Sequence, residues 1–339
     1  MSIVILGIDL AKSTFSLHGV DARGQCVLRK TVSRSRLLSL IAQLPPCLIG
    51  MEACSGAHYW AREFERLGHR VGIMAAKFVA PYRTGGKNDH NDAQAICEAV
   101  SRPSMRFVAI KSEAQQALLS MHRVRTMLVK ERTALINQLR GLLSEFGIVI
   151  PQGREQAQSH LARLIGDDTL QLPALFKQLL ADLYQRLTEL HRQLLGYDRA
   201  LEQQAREHPT AKRLMTIPGI GAITATALIA SVSDPQSFRN GRQFAAWLGL
   251  VPKQFTTGGK IRLGRITKRG DSYLRMLLIH GTRAVLATCQ HKVDRVSCWI
   301  KSLAERRGYK RAIVALAAKN ARIVWALLTT KKEYELKAV

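Results

Sequence analysis

"IVILGIDLAKSTFSLHGVDARGQCVLRKTV", residues Ile3–Val32, decides the fold. "IVILGID" is a continuous apolar run ending in an acid, which reads as a buried strand. "TFSLHGVD" and "CVLRKTV" alternate apolar and polar residues, and the turn-like "ARGQ" separates them. They read as two half-buried strands that meander off the first. Working outward, "SRSRLLSLIAQL" is a short helix, "CLIGME" a second buried strand, and "AHYWAREFERLG" a helix ended by Gly68. "HRVGIMAA" is a fifth strand, and the basic loop "KFVAPYRTGGK" leads into a helix opened by "KNDHNDAQAI". A three-strand meander followed by strand, helix, strand and helix is an α/β order that predicts a mixed sheet.

Leu118, Met121, Leu128, Leu135, Leu139, Leu142 and Phe146 then recur at three/four spacing, and Leu172 to Leu201 repeat the pattern. Two long amphipathic helices joined by a Pro/Gly-containing segment predict an antiparallel coiled-coil arm, or else the face of a helical bundle. From about Lys212 the chain reads as compact and mainly helical, ending in a helix over residues 309–328 that is apolar on one face and basic on the other. The expected organisation is three parts: 1–110, 111–208 and 209–339.

The chain has 339 residues with 51 Lys and Arg against 25 Asp and Glu, a formal net charge of +26. Such an excess predicts a polyanionic partner, most often nucleic acid. No apolar run is expected to reach the ~18 residues of a membrane span. "MSIVILGIDL" has no basic leader and reads as a strand. Cys26, Cys47, Cys54, Cys97, Cys289 and Cys298 show neither a CxxC pair nor a zinc spacing. They are expected to be reduced structural thiols of a cytoplasmic, nucleoid-associated bacterial protein.

The acids carry the chemistry. Asp9 and Glu52 end the first and fourth strands, and strand ends share the rim where α/β proteins keep their sites. Asp89 and Asp92 are nearly one helical turn apart and lie on one face. Four converging carboxylates would raise one another's pKa values if bare, whereas one or two Mg²⁺ ions would make them hard oxygen ligands. Two such ions suit phosphodiester chemistry. Taken singly, each acid also reads as a helix cap or a first-turn acid favoured by the helix dipole. His90, between the aspartates, is expected to be exposed, because imidazole is an unusual Mg²⁺ ligand.

"GIDLAK", "MEACSG", "KNDHNDA", "PGIG", "RQFAAWLGL" and "GGKIRLGRITKRGDSYLR", in this order, resemble the DEDD transposases of the bridge-RNA-guided insertion-sequence recombinases, over essentially the whole chain. The resemblance implies a RuvC-like domain of RNase H fold whose tetrad maps onto Asp9, Glu52, Asp89 and Asp92. It also implies a coiled-coil segment and a C-terminal transposase domain that supplies a nucleophilic serine. Donor and target DNA, a noncoding guide RNA that pairs with both, and a dimer or tetramer would be the partners. The family serine falls on Thr257 in "KQFTTGGK", with Thr256 as a near alternative. Threonine is also an alcohol and can form a phosphoester. A natural threonine variant, an engineered substitution and an inactive copy all fit the departure, as does a plain turn beside Gly258 and Gly259.

Lys260, Arg262, Arg265, Lys268 and Arg269 follow Thr257 and are expected to hold phosphates, against the alternative of a solvated basic face. Gly219 and Gly221 of "PGIG" resemble a phosphate-reaching hairpin, or a packing turn. An actin-like ATPase or sugar kinase would also open with "GID" but needs a second Gly-rich phosphate loop after a later strand, which this chain lacks. A metal nuclease or junction resolvase would share the tetrad without needing Thr257, and a decayed transposase would bind nucleic acid only.

Overall fold

The protein is described from a computed structural model covering residues 2–86, 88–167 and 171–335. The chain divides into two units, Met1–Glu113 and Ala114–Val339. In the first, β1 (Ile5–Leu10), β2 (Thr14–Val20) and β3 (Cys26–Ser33) form the meander. α1 (Arg34–Ala42), β4 (Leu48–Glu52), α2 (Ala57–Arg66) and β5 (Arg70–Met74) follow. The stretch read as a basic loop instead begins with a short helix, α3 (Ala76–Val79), and a 3-10 turn at Ala80–Tyr82. It leads to α4 (Asp89–Val100) and a short sixth strand, β6 (Phe107–Val108), which the sequence reading did not include.

The sheet order is β3-β2-β1-β4-β5-β6. β4 runs parallel to β1 and β5; the other pairings are antiparallel. The even-numbered Leu6 and Ile8, with Ile49, Met51 and Ile73, pack against α1 and α2 in one core. On the opposite face, Ile5, Leu48 and Met74 pack with Ile96, Ala99 and Val100 of α4. Gly7, Gly50 and Gly72 stand in register across β1, β4 and β5. A Cβ on Gly7 would lie 2.5 Å from the Cys97 amide nitrogen, and one on Gly50 would lie 2.7 Å from Val100 Cβ. The three glycines form a groove into which α4 sinks.

In the second unit, α5 (Glu113–Ser144) starts at the unit boundary and is followed by α6 (Arg154–Ile165) and α7 (Ala174–Glu207). They share a core in which Leu135, Leu139 and Leu143 meet Leu161, Leu180, Leu187 and Leu194. The stripe on α5 runs through Ile136 and Leu143, while Phe146 lies past its end and is exposed. α8 (Pro209–Met215), α9 (Ala222–Ser231), α10 (Gly241–Trp247), α11 (Ser272–Thr288), α12 (Arg295–Arg307) and α13 (Tyr309–Thr330) complete the helices. Most of them contribute to a large core around Leu214, Leu228, Phe244, Leu278 and Val324. Between α10 and α11 stands an antiparallel hairpin, β7 (Pro252–Thr257) and β8 (Lys260–Ile266).

The expectation that no run reaches spanning length is corrected by α13, whose 22 residues are long and apolar enough to cross a membrane. Its apolar face, including Leu316, Ala321 and Val324, is buried against other helices of the unit, as in a core helix. All six cysteines are free thiols.

Candidate functional site

Side chains alternate along a strand, so Asp9 and Glu52 project on the same face as Gly7 and Gly50, two residues further along. That is the face covered by α4. Asn88 caps α4, its side-chain oxygen accepting from the Asn91 amide at 2.8 Å, while Asn91 Nδ2 donates to the Gly86 carbonyl at 2.8 Å. The capping role is thus filled by Asn88, and neither aspartate of "KNDHNDA" performs it. Lys87 of this motif lies outside the described residues.

Asp9, Glu52 and Asp92 line one cavity of about 210 Å³, with Ala76, Val79 and Ala80 as its apolar wall and Ala95 one turn beyond Asp92. Asp89, at the first position of α4, is exposed and is not among the lining residues. Arg83 also lines the cavity and sets Nη1 3.3 Å from Asp92 Oδ1. Burial, and next the Asp92 charge, push the Glu52 carboxyl above its ordinary pKa, while Arg83 opposes the shift. Burial followed by the charges of Asp9 and Glu52 pushes the Cys54 thiol up as well. The carboxylates at this site thus act on one another and on the nearby thiol, and Arg83 opposes the effect at Glu52.

The all-oxygen donor set of Asp9, Glu52 and Asp92 fits a hard divalent cation. Among the described residues, no three His, Cys, Asp or Glu side chains converge closely enough to hold an ion as they stand. Asp9, Glu52 and Asp92 are the groups that would have to close on it. His90 is half-buried, correcting the expected exposure, and its Nδ1 is buried without a hydrogen-bond partner among the described residues. Sequence reasoning missed Arg83 as a charge partner and missed the glycine groove. The signal for the groove was present: "LGI", "IGM" and "VGI" each place one glycine inside an apolar strand.

The stretch read as a loop around Thr257 is a β-hairpin. Gly258 and Gly259 form its two-residue turn at φ 55° and 76°, the left-handed pair that a type I′ turn needs. Thr257 pairs with Lys260, and Phe255 with Arg262, so these four share one face. Thr256 lies on the other face, opposite Ile261, and its Oγ1 accepts from Gln254 Nε2 at 3.1 Å. Thr257 is exposed, and its hydroxyl has no hydrogen-bond partner among the described residues.

The root of the hairpin is fixed. The Thr267 amide donates to the Val251 carbonyl at 2.9 Å and the Lys268 amide to the Gly249 carbonyl at 3.1 Å. Arg265 lies on β8, and Lys268 and Arg269 occupy the anchored turn after it. Gly219 turns at φ 87° against α11, where a Cβ would meet the Gly281 carbonyl oxygen at 2.9 Å. The Pro218 carbonyl accepts from buried Asn320 at 2.8 Å. These contacts account for Gly219 by packing, whereas Gly221 is exposed at the start of α9.

A family model described as a transposase matches residues 6–148, and one described as "Transposase IS116/IS110/IS902 family" matches residues 211–296. A probable family 20 transposase of Pseudomonas aeruginosa is 49% identical over 335 residues, covering 98% of this chain and 99% of the relative. The transposase for insertion sequence element IS1111A of Coxiella burnetii is 42% identical, with 98% and 91% coverage. The transposase for insertion sequence element IS1328 of Yersinia enterocolitica is 40% identical, with 97% of each chain covered.

Proposed function

The chain belongs to the IS110 family of transposases and is a DNA transposase, and from that premise we propose that it cuts and rejoins DNA through a covalent protein–DNA intermediate. One observation carries the metal-assisted part of the reading: Asp9, Glu52 and Asp92, far apart in sequence, line a single cavity. The DEDD domain points to a divalent metal, which we take to be Mg²⁺, held by these three with Asp89 completing the tetrad. When bound, the metal supplies charge neutralisation at the reacting phosphate.

Thr257 is the nucleophile. Its Oγ attacks a DNA phosphorus, forms a phosphothreonine ester and releases a 3′-hydroxyl, which attacks in turn when strands are rejoined. Lys260 and Arg262 share its face and hold the strand by its phosphates. The pairing supports Thr257 over Thr256, whose neighbours are apolar Ile261 and Leu263. Arg265, Lys268, Arg269 and Gly221 extend the phosphate contacts.

Residues 1–110 serve as a RuvC-like metal domain of RNase H fold, 111–208 as a coiled-coil arm, and 209–339 as the domain carrying the nucleophile. A noncoding guide RNA selects donor and target by pairing, which suits a chain whose charge of +26 is spread along its length. Joining two DNA partners calls for a homo-oligomer.

The test is covalent trapping. The protein is co-expressed with the DNA flanking its gene, given donor and target junctions, and denatured in SDS. A DNA adduct that persists in Thr257→Ser but disappears in Thr257→Ala and Asp9→Ala is the expected result. Nicked DNA without an adduct, still dependent on Asp9, would establish a water-using nuclease instead.

A further inference from the structure

A second cavity, of about 380 Å³, opens between α10 and α13, lined by Asn240, Gly241, Arg242, Arg322, Trp325 and Ala326. The two helices pack closely here: a Cβ on Gly241 would stand 3.0 Å from Arg322 Cα. Arg242 and Arg322 are exposed, and neither forms an ion pair among the described residues. The positive charge continues along the same surface. Lys319 stacks its ammonium 4.5 Å from the Trp299 ring, and burial, then Arg295 and Arg322, lower its pKa.

Trp325 is half-buried, and its indole N–H is committed to the Pro235 carbonyl at 3.0 Å. The ring is thereby held in place with its donor used up. What it offers a ligand is apolar ring surface. Guanidiniums flanking a fixed indole suit an anion that carries a flat group. The volume lies in the range of small-ligand sites.

We propose that this groove holds one unstacked nucleotide of a single-stranded nucleic acid, its base against Trp325 and its phosphate between Arg242 and Arg322. A duplex keeps its base faces covered and can use only the charges. The site is separate from the hairpin and requires neither the nucleophile nor the metal.

The experiment measures binding of full-length protein to labelled oligothymidylate, oligouridylate and a duplex of equal length, about a dozen nucleotides each. Trp325→Leu, Arg242→Ala and Arg322→Ala are compared with Trp325→Phe and with Arg199→Ala, an exposed cation on α7. The first three should each weaken single-strand binding by about tenfold, with under about twofold change for the duplex. Trp325→Phe, which keeps a flat ring, should stay within about threefold of the parent. Loss confined to the RNA or the DNA strand identifies the natural ligand, and loss of both assigns either. Equal losses for single strand and duplex, an effect of Arg199→Ala as large, or no loss would each overturn the proposal. Thermal melts monitor folding, and the two exposed arginines keep the test valid if Trp325→Leu unfolds.

Discussion

Gly7 of β1 faces Cys97 of α4 so closely that a Cβ on the glycine would stand 2.8 Å from the Cys97 Cβ and 2.5 Å from its amide nitrogen. Relief would have to come from backbone movement, because α4 cannot yield at one atom. Gly7→Ala should therefore destabilise the protein by about 3 kcal/mol, at the high end for overpacking. It should also lift Asp92 from the cavity and abolish DNA cleavage, although Gly7 is not a lining residue. Urea unfolding and a cleavage assay on the same variant check both outcomes.

The three glycines also show where legibility ended. The sequence pattern located β1 to β5, the rim acids Asp9 and Glu52, and the helix bearing Asp92. It did not indicate that Gly7, Gly50 and Gly72 align, because register between strands is a pairing of distant residues. Nor could it choose between Asp89 and Asp92 as a lining residue, since both satisfy the same helical spacing.

Glu52 supplies a pH signature. Its pKa is raised in the folded state, so the folded protein holds this proton more tightly than the unfolded chain does. The associated stability is present below the ordinary carboxylate range and is lost as pH rises through the raised value. Arg83→Gln removes the guanidinium that opposes the shift and should move the Glu52 titration further up. Carboxyl chemical shifts followed against pH, with Glu52→Gln as the assignment control, measure this directly.

Divalent metal should relieve the same crowding. Added Mg²⁺ is expected to raise the melting temperature of the parent, with the effect lost in Asp9→Asn and Glu52→Gln. Chelation should stop cleavage. Protonation of Glu52 competes with the metal, so affinity should fall on acidification by at most about tenfold per pH unit. Titration calorimetry at several pH values reads the slope.

The hairpin separates activity from stability. Gly258 and Gly259 have positive φ, where a side chain is strained by about 1–2 kcal/mol per residue. Both strands are exposed, so Gly259→Val should disorder the tip while leaving the unfolding free energy of the protein within about 1 kcal/mol of the parent. Cleavage and adduct formation should drop together, as seen by SDS trapping.

His122 reports on the helical unit. It is buried in α5, and its Nδ1 lies 3.0 Å from the Tyr273 hydroxyl of α11. Burial, with Arg125 adding to it, lowers its pKa to about 4. The unfolded chain then binds a proton that the folded protein refuses, so stability should fall as pH drops from about 6.5 to about 4. His122→Gln should remove up to about one proton from that slope, measured by denaturant unfolding across the window.

The amino-acid order by itself determined the strand and helix order from β1 through β5, the long helices α5 and α7, the acids near the ends of β1 and β4 and the twin-glycine turn beside Thr257, because each rests on periodicity or local backbone preference; α3, β6 and the strands β7 and β8 were not legible in it. Tertiary structure alone decided which acids meet, that Arg83 shares their cavity, and that Thr257 rather than Thr256 faces Lys260 and Arg262. Those outcomes depend on helix depth and strand register, which arise from contacts between residues the chain keeps far apart.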